Sequence, residues 1–401
     1  MVGSTKQYIY KIFSVSGTTT TPLGQWPDVI GFPRFEVSLN AGLGEMTVEL
    51  ARQWENIGES YDVKQGNLVK VYVADRDTGH DDAKLIASGY ISGYTPKVSA
   101  GDDERCTVTV LGNSIRLQDA LVTASGNSLV TFNSVDPTTI LSTLINLYNT
   151  TVSGAVQFAT NFDNTGSTVS YAFDLVTYKE ALDKILELSP QRWYYTIDPD
   201  DTIQFHPRRW SADHTLTIGQ HISSIEPFKN IEDIVNVVWF VGGNNIKSVY
   251  RNSTSIILYG EKTKVLQDSR VTLQTSADIV ANSYLLAHAN PEVRTILTVV
   301  DSNGDGSGRG YDIDSFRVGQ MVSIVHPNVN YARTLWNEAK WNEAKWNSPI
   351  ESVLSTPMQI MRMSYAGDTC TLELSTRTPE IAKRLEDINR NLKQFITDQL
   401  T

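Results

Sequence analysis

Two stretches of the chain contain the same landmarks in the same order. The first contains Tyr61-Asp62-Val63, then Gly66-Asn67-Leu68-Val69-Lys70-Val71, and later Cys106-Thr107-Val108-Thr109-Val110. The second contains Tyr311-Asp312-Ile313, then Gly319-Gln320-Met321-Val322-Ser323-Ile324, and later Cys370-Thr371-Leu372-Glu373-Leu374. Most of these landmarks alternate apolar and polar residues, as strands with one buried face do. The repetition predicts a duplicated β-domain, and such a domain lets three chains present six similar units around one axis.

Between the two copies the pattern changes from strands to helices and strands together. Asp136-Pro137 is typical of a helix start, and Thr177 with Glu180 forms a capping box before a second helix. The sequence therefore predicts a mainly β fold with an α/β insert, the β-domains being barrels or sandwiches. The predicted boundaries are 1–115 for the first β-domain, 116–212 for the α/β middle module, 213–377 for the second β-domain with a helical insertion, and 378–401 for a C-terminal coiled-coil helix.

The last segment has the spacing of a coiled-coil seam. Thr378 and Pro379 are typical of a helix start, and the apolar residues then alternate steps of four and three. These residues are Ile381, Leu385, Ile388, Leu392 and Phe395. Leu at a and Ile at d favour trimers or tetramers over dimers, so we predict that this seam holds a homotrimer. Because the seam spans only about two heptads, a helix packed on its own domain is the alternative.

A pentapeptide repeat precedes the last strands of the second copy. It places Trp336, Trp341 and Trp346 five residues apart, a period that matches neither a helix nor a strand and therefore predicts a loop. Leaving three tryptophans in water forgoes about 1.5–3 kcal/mol for each large apolar side chain. We predict that they contact a partner, and the alternative is a turn that folds back onto its own domain.

One acidic segment resembles a calcium-binding loop. Asp301, Asn303, Asp305 and Asp312 satisfy the D-x-N-x-D-G pattern with an acid at the twelfth position. Against a Ca²⁺ site, the segment follows a strand pattern instead of a helix, and the twelfth residue is Asp instead of the longer Glu. A hairpin loop rich in turn residues is the alternative.

No catalytic residue is predicted. The six histidines have no metal-ligand spacing, and the sequence lacks a nucleophile elbow, a P-loop and a dinucleotide-binding fingerprint. Cys106 and Cys370 occupy matching places in the two copies, which predicts two equivalent core positions and not a mutual disulfide. The net charge of −11 argues against general binding to nucleic-acid phosphates, and no apolar run approaches a membrane span.

Several segments resemble the tail-tip and baseplate hub proteins of tailed bacteriophages and prophages. Residues 35–50 (FEVSLNAGLGEMTVEL) and 85–94 (LIASGYISGY) are similar to the opening domain of that family. Residues 178–184 (YKEALDK) with 193–200 (WYYTIDPD) are similar to its middle module, and residues 230–238 (NIEDIVNVV) to the start of its second barrel. The likeness covers nearly the whole chain from about residue 30, without a diagnostic catalytic motif.

The resemblance implies a structural role in a virion. Such hubs are homotrimers whose two tail-tube-like β-domains form a pseudo-hexameric ring. The ring joins the tail tube or distal tail proteins above to the spike or tip below, and DNA passes through it without specific binding. The N-terminus is polar and lacks the apolar core of a signal peptide, which predicts assembly in the host cytoplasm. No enzymatic activity is predicted, and no cofactor apart from the Ca²⁺ of the acidic loop. A scaffold for a tail-associated cell-wall hydrolase and a host-surface carbohydrate-binding tail protein are the alternatives.

Overall fold

A computed structural model describes most of the chain between residues 6 and 377. The described residues are 6–16, 19–52, 61–75, 83–99, 102–124, 129–152, 157–190, 192–230, 233–301, 310–325 and 357–377. The predicted coiled-coil helix at 378–401 and the three repeated tryptophans lie outside these ranges. The fold is mainly β with several sheets, as the sequence predicts.

The first β-half is built from strands that pair antiparallel. Its strands are β1 (Lys6–Ser16), β2 (Thr19–Gln25), β3 (Val29–Ser38), β4 (Gly42–Leu50), β5 (Leu68–Asp75), β6 (Lys84–Ser99) and β7 (Asp102–Gly112). Short 3₁₀ helices at Tyr61–Val63 and Asn113–Gln118 precede β5 and follow β7.

The middle module carries the two helices that the capping residues predict. Its elements are β8 (Val130–Val135), α1 (Pro137–Thr151), β9 (Ala159–Phe162), β10 (Val169–Phe173), α2 (Tyr178–Leu188), β11 (Trp193–Ile197) and β12 (Thr202–Pro207). Asp136 accepts a hydrogen bond from the Thr138 N–H at the start of α1, and Thr177 with Glu180 forms the capping box of α2. Both helix starts are therefore confirmed, and each cap satisfies N–H groups that the helix itself leaves unpaired.

The second β-half contains an α/β insertion. Its elements are β13 (His214–Thr217), β14 (Ile222–Asn230), β15 (Val237–Gly242), β16 (Lys247–Arg251), α3 (Ser253–Tyr259), β17 (Thr263–Asp268), α4 (Gln274–His288), β18 (Glu292–Val300), β19 (Met321–Val325), β20 (Met358–Ala366) and β21 (Thr369–Ser375). A 3₁₀ helix at Ile313–Ser315 precedes β19.

Among the described residues, both β-halves belong to one sheet of 13 strands. The first half has the strand order β3-β4-β7-β6-β5-β1, and the second half repeats it as β14-β18-β21-β20-β19-β13. The five pairings have the same direction in both halves except the last, since β1 pairs antiparallel with β5 while β13 pairs parallel with β19. The duplication in the sequence is therefore a duplication of sheet topology.

The two halves also share their register. In the first half Cys106 lies between Leu50 and Pro96, and in the second half Cys370 lies between Val299 and Tyr365. Both cysteines are buried and free, as the matching sequence positions predict.

A bulge and a glycine turn recur at matching points. The bulge between Ile91 and Gly93 of β6 has a counterpart between Ile360 and Arg362 of β20. Gly66 and Gly319 both have positive φ, which glycine adopts without steric cost, and their N–H groups donate to the carbonyls of Ile91 and Ile360, both at 2.8 Å.

The buried side chains form two clusters. The first contains apolar residues of both β-halves, from Tyr10 to Val110 and from Leu216 to Leu374. The second joins the middle module to the insertion, so that Leu182 of α2 and Ala281 of α4 share one core. None of the described helices is both long enough and apolar enough to cross a membrane. The predicted domain boundaries stay predictions. Each buried cluster combines residues from two of the predicted domains and therefore does not define a boundary between them.

Candidate functional site

The two β-halves meet where β3 pairs antiparallel with the second part of β20. The register places Phe35 opposite Tyr365, and their rings stack with centroids 4.8 Å apart and an interplanar angle of 13°. The Leu39 N–H donates to the carbonyl of Met361, at the bulge of β20, at 2.8 Å. We call this pairing the internal junction, and it continues the sheet from one copy of the duplicated unit to the next.

A hydroxyl network lies behind the stacked rings of the internal junction. The Tyr365 hydroxyl donates to Asp314 Oδ1 at 2.7 Å and lies 2.8 Å from the hydroxyl of Tyr8 on β1. Tyr8 also meets the edge of Phe32, with ring centroids 5.8 Å apart. Because buried polar groups are costly unless they are paired, this network fixes β1 of the first half against the second half.

Lys6 adds a buried charge to the same contact. Its ammonium donates to Asp301 Oδ1 at 2.8 Å and also pairs with Asp314, whose side chain, like that of Asp301, is almost fully buried. Burial by itself lowers the pKa of Lys6, but the charge of Asp314 and the hydrogen bonds to both carboxylates outweigh it and raise that pKa. Burial raises the pKa of Asp301, and Lys6 opposes the change.

The middle module contacts the β-sheet through Asn40 and Asp201, both in the left-handed backbone region. Asn40 bonds Tyr195 on β11 through its backbone and its side chain. The Asn113 amide donates to Asp201 Oδ1 at 2.9 Å, and burial raises the pKa of Asp201 to about 6. Beside this pair is a cavity of about 30 Å³, lined in part by Ser88.

The predicted calcium ligands are only partly described. Asp301 is the last residue before an undescribed range, and its carboxylate binds Lys6. The Asp312 carboxylate is more exposed and accepts a hydrogen bond from the Asp314 N–H at the start of a 3₁₀ helix. Asn303 and Asp305 lie outside the described residues, so the Ca²⁺ site stays a prediction. Within the described ranges, no group of three or more His, Cys, Asp or Glu is placed to hold a metal ion.

The other predicted site residues lie outside the described ranges. These are the trimerisation residues Ile381, Leu385, Ile388, Leu392 and Phe395, and the partner-contact residues Trp336, Trp341 and Trp346.

A polar cleft of about 280 Å³ lies between the middle module and the second β-half. In it, His206 Nδ1 is 2.7 Å from the Asp163 carboxylate, and its Nε2 is 3.0 Å from Gln204 Oε1. Both ring nitrogens thus have partners, Gln204 on β12 itself and Asp163 just after the end of β9, which accounts for the position of the ring without a ligand.

Sequence reasoning did not find the contacts that join the two halves. Lys6 and Tyr8 lie on a polar N-terminal strand without a motif, and their partners follow some 300 residues later. The only available signal was the alternation of β1, which indicates a strand but not its partner.

Comparison with known proteins gives structural matches only. No family model matches the chain, and no curated protein matches its sequence. Its fold is similar to the 43 kDa tail protein of prophage MuSo2 from Shewanella oneidensis, with a TM-score of 0.59 and 11% identity over 92% of this chain and 98% of that one.

Two further tail proteins have the same fold. A prophage tail protein from Listeria monocytogenes matches with a TM-score of 0.58 and 10% identity, over 96% of this chain and 99% of that one. A tail protein from Neisseria meningitidis matches with a TM-score of 0.56 and 12% identity, over 92% and 96%. The predicted resemblance to phage tail proteins is thus confirmed as a likeness of fold.

Proposed function

We propose that this protein is a structural hub of a phage-like tail tip or baseplate. Three copies form a ring of six similar β-halves that joins the tail tube above to a spike or tip below, and DNA passes through the lumen without specific binding. The role is mechanical, the protein belongs to the virion, and no catalytic step is part of it. Tail proteins with the same fold from three bacteria support a role in the tail.

The duplicated sheet is the observation that carries the proposal. Within one chain, two units of the same strand order and register stand side by side in a continuous sheet. A contact that joins unlike surfaces of similar units repeats around a ring when its rotation closes. Two units in each chain make a six-unit ring from three chains, which fits a six-fold tube.

Charge is compatible with a conduit for DNA. The chain carries a net charge of −11, so its long-range field repels phosphate groups. Two basic groups of the sheet are also paired with acids, Arg362 with Glu36 and Arg105 with Glu49.

The predicted C-terminal seam and the three tryptophans have places in this proposal. The seam from Ile381 to Phe395 would hold the three chains together at the end that faces the spike or tip. Trp336, Trp341 and Trp346 would be covered by a neighbouring protein in the assembled tail.

The test is the mass of the purified protein over a range of concentrations, with particle images of the associated species. We expect a species of about 134 kDa, three times the 44.6 kDa of one chain, that forms rings with a central channel. Leu392→Asp places a charge in the seam and should weaken the trimer. Dimers, or open filaments in place of rings, would contradict the proposal.

A further inference from the structure

The internal junction has unpaired counterparts at two other edges of the sheet. It uses β3 of the first half and the second part of β20 of the second half. By the shared register, the counterpart of β3 is β14, and the counterpart of that part of β20 is the stretch of β6 after its bulge. Among the described strands, β14 pairs only with β18, and this part of β6 pairs only with β7.

We infer that a second copy of this chain covers these edges, with β14 of one chain pairing antiparallel with residues 93–97 of β6 in the next. The inference deepens the proposed function and rests on it for the closure of the ring. The occupant follows from the internal junction, because the surfaces that are paired once inside the chain are each present a second time. Such unlike surfaces join head to tail.

We call the pairing of β14 with β6 of the next chain the external junction. Its register follows from that of the internal junction. Arg34 pairs with Ala366 inside the chain, and their counterparts are Glu226 and Lys97. The external junction therefore places a carboxylate opposite an ammonium, both exposed in the single chain. Opposite charges on facing strand positions favour a pairing, whereas like charges oppose it.

Exposure differs between the internal junction and the unpaired edges as the inference requires. Met363 is 5% exposed at the internal junction, and its counterpart Tyr94 is 40% exposed. Phe228, the counterpart of the partly buried Glu36, is 59% exposed. Apolar side chains thus stand in water at the edges that the inference assigns to a neighbouring chain.

Two prolines make the external junction weaker than the internal one. The hydrogen bond from Leu39 to Met361 makes every second facing pair of the internal ladder a hydrogen-bonding position. Phe35 and Tyr365 occupy such a position, and their counterparts are Pro227 and Pro96. Proline has no N–H, so the facing pair loses both hydrogen bonds at this position. Because each missing N–H points away from the proline's own ladder, both β-halves stay intact while the open edges are protected from uncontrolled pairing.

Engineered cysteines on the full chain test the register. Thr95 and Phe228 would face each other at a position without ladder hydrogen bonds, where Cα atoms are about 4.5 Å apart and a disulfide fits. We expect Thr95→Cys with Phe228→Cys to cross-link chains on mild oxidation. The matched control, Thr95→Cys with Ser224→Cys, keeps the same face of β14 but moves the thiol four residues away, and should cross-link at least tenfold less.

A second variant tests the prolines. Pro96→Val with Pro227→Val restores both N–H groups, and we expect association at a concentration at least tenfold lower than for the wild type. Pro22→Val, on β2 outside the junction, should leave association unchanged. If the wild-type background gives no cross-link, the cysteine pair is repeated in the Pro96→Val and Pro227→Val background.

The results of these experiments distinguish a failure of the external junction from a failure of the proposed hub function. In-register cross-links that stop at three chains support both the external junction and the trimeric hub. Cross-linked products of more than three chains support the external junction but contradict the trimeric hub. A trimer without in-register cross-links overturns the junction and leaves the hub standing. The absence of in-register cross-links in both backgrounds also overturns the junction.

Discussion

Asn40 and Tyr195 are joined through both their backbones and their side chains. The Asn40 N–H donates to the Tyr195 carbonyl at 3.1 Å, and the Tyr195 N–H donates to Asn40 Oδ1 at 3.0 Å. Asn40 adopts a φ of 58°, in the left-handed region that Asn and Gly tolerate. Asn40, in the turn between β3 and β4, is therefore one of the residues that hold the middle module against the sheet.

Replacing Asn40 tests this contact without straining the turn. Asn40→Gly keeps the backbone conformation but removes the side-chain acceptor, which leaves the buried Tyr195 N–H unpaired at a cost of about 1–3 kcal/mol. We expect faster hydrogen exchange at the amides of β11. Asn40→Ala, which also strains the turn, should have the larger effect, and equal exchange in the wild type and both variants would contradict the role of Asn40.

We predict different losses of stability for substitutions at the two stacked residues of the internal junction, Phe35 and Tyr365. Phe35→Ala removes a buried ring and leaves a cavity, so we expect a loss of about 3–5 kcal/mol in stability. Tyr365→Phe keeps the stack but removes the hydrogen bond to Asp314, for a loss of about 1–3 kcal/mol. Denaturant unfolding followed by tryptophan fluorescence measures both. A larger loss for Tyr365→Phe than for Phe35→Ala would show that the hydroxyl network, and not the stack, holds the junction.

The duplication could be predicted from the sequence because it depends on local patterns. The cysteine strands and the glycine turns at Gly66 and Gly319 lie at matching points of the structure, and local side-chain chemistry also predicts the helix starts at Asp136 and Thr177. The pairing of β3 with β20 could not be predicted, because alternation fixes which face of a strand is buried but not which strand lies beside it. Lys6 illustrates the same limit, since no local pattern identifies a partner so distant in sequence.

Lys6 predicts a large effect for the loss of one charge. Lys6→Met removes the cation that pairs with the almost fully buried carboxylates of Asp301 and Asp314, and unpaired buried charges cost about 3–5 kcal/mol. We expect a clear fall in the thermal midpoint at neutral pH. Adding Asp301→Asn removes one of the two orphaned charges and should recover part of the loss. A variant with Lys6→Met alone that is as stable as the wild type would show that water or another cation replaces the ammonium.

Asp201 predicts a pH dependence of the contact between the middle module and the sheet. Burial raises the pKa of Asp201 to about 6, above its ordinary value of 3.8, so the folded protein holds this proton more tightly than the unfolded chain. The contribution of protonated Asp201 to the free energy of unfolding is therefore fully present below about pH 4. It is lost as the pH rises to about 6, and its total is on the order of 2–3 kcal/mol.

Asp201→Asn removes this titration and suits the left-handed backbone at this position. We expect the variant to match the wild type near pH 4 and to be more stable above pH 6, since it never has to bury a carboxylate beside Asn113. Thermal midpoints of both proteins from pH 4 to 8 measure this difference in stability. The other titrating groups affect both proteins alike, so their effects cancel in the difference. Asp200→Asn is the comparison on the exposed side of the same turn. Because the charge of Asp200 contributes to the raised pKa of Asp201, this variant should move the transition towards lower pH without removing it. A constant difference between Asp201→Asn and the wild type across this range would mean that Asp201 does not titrate there, and that the cavity beside Ser88 already hydrates its carboxylate.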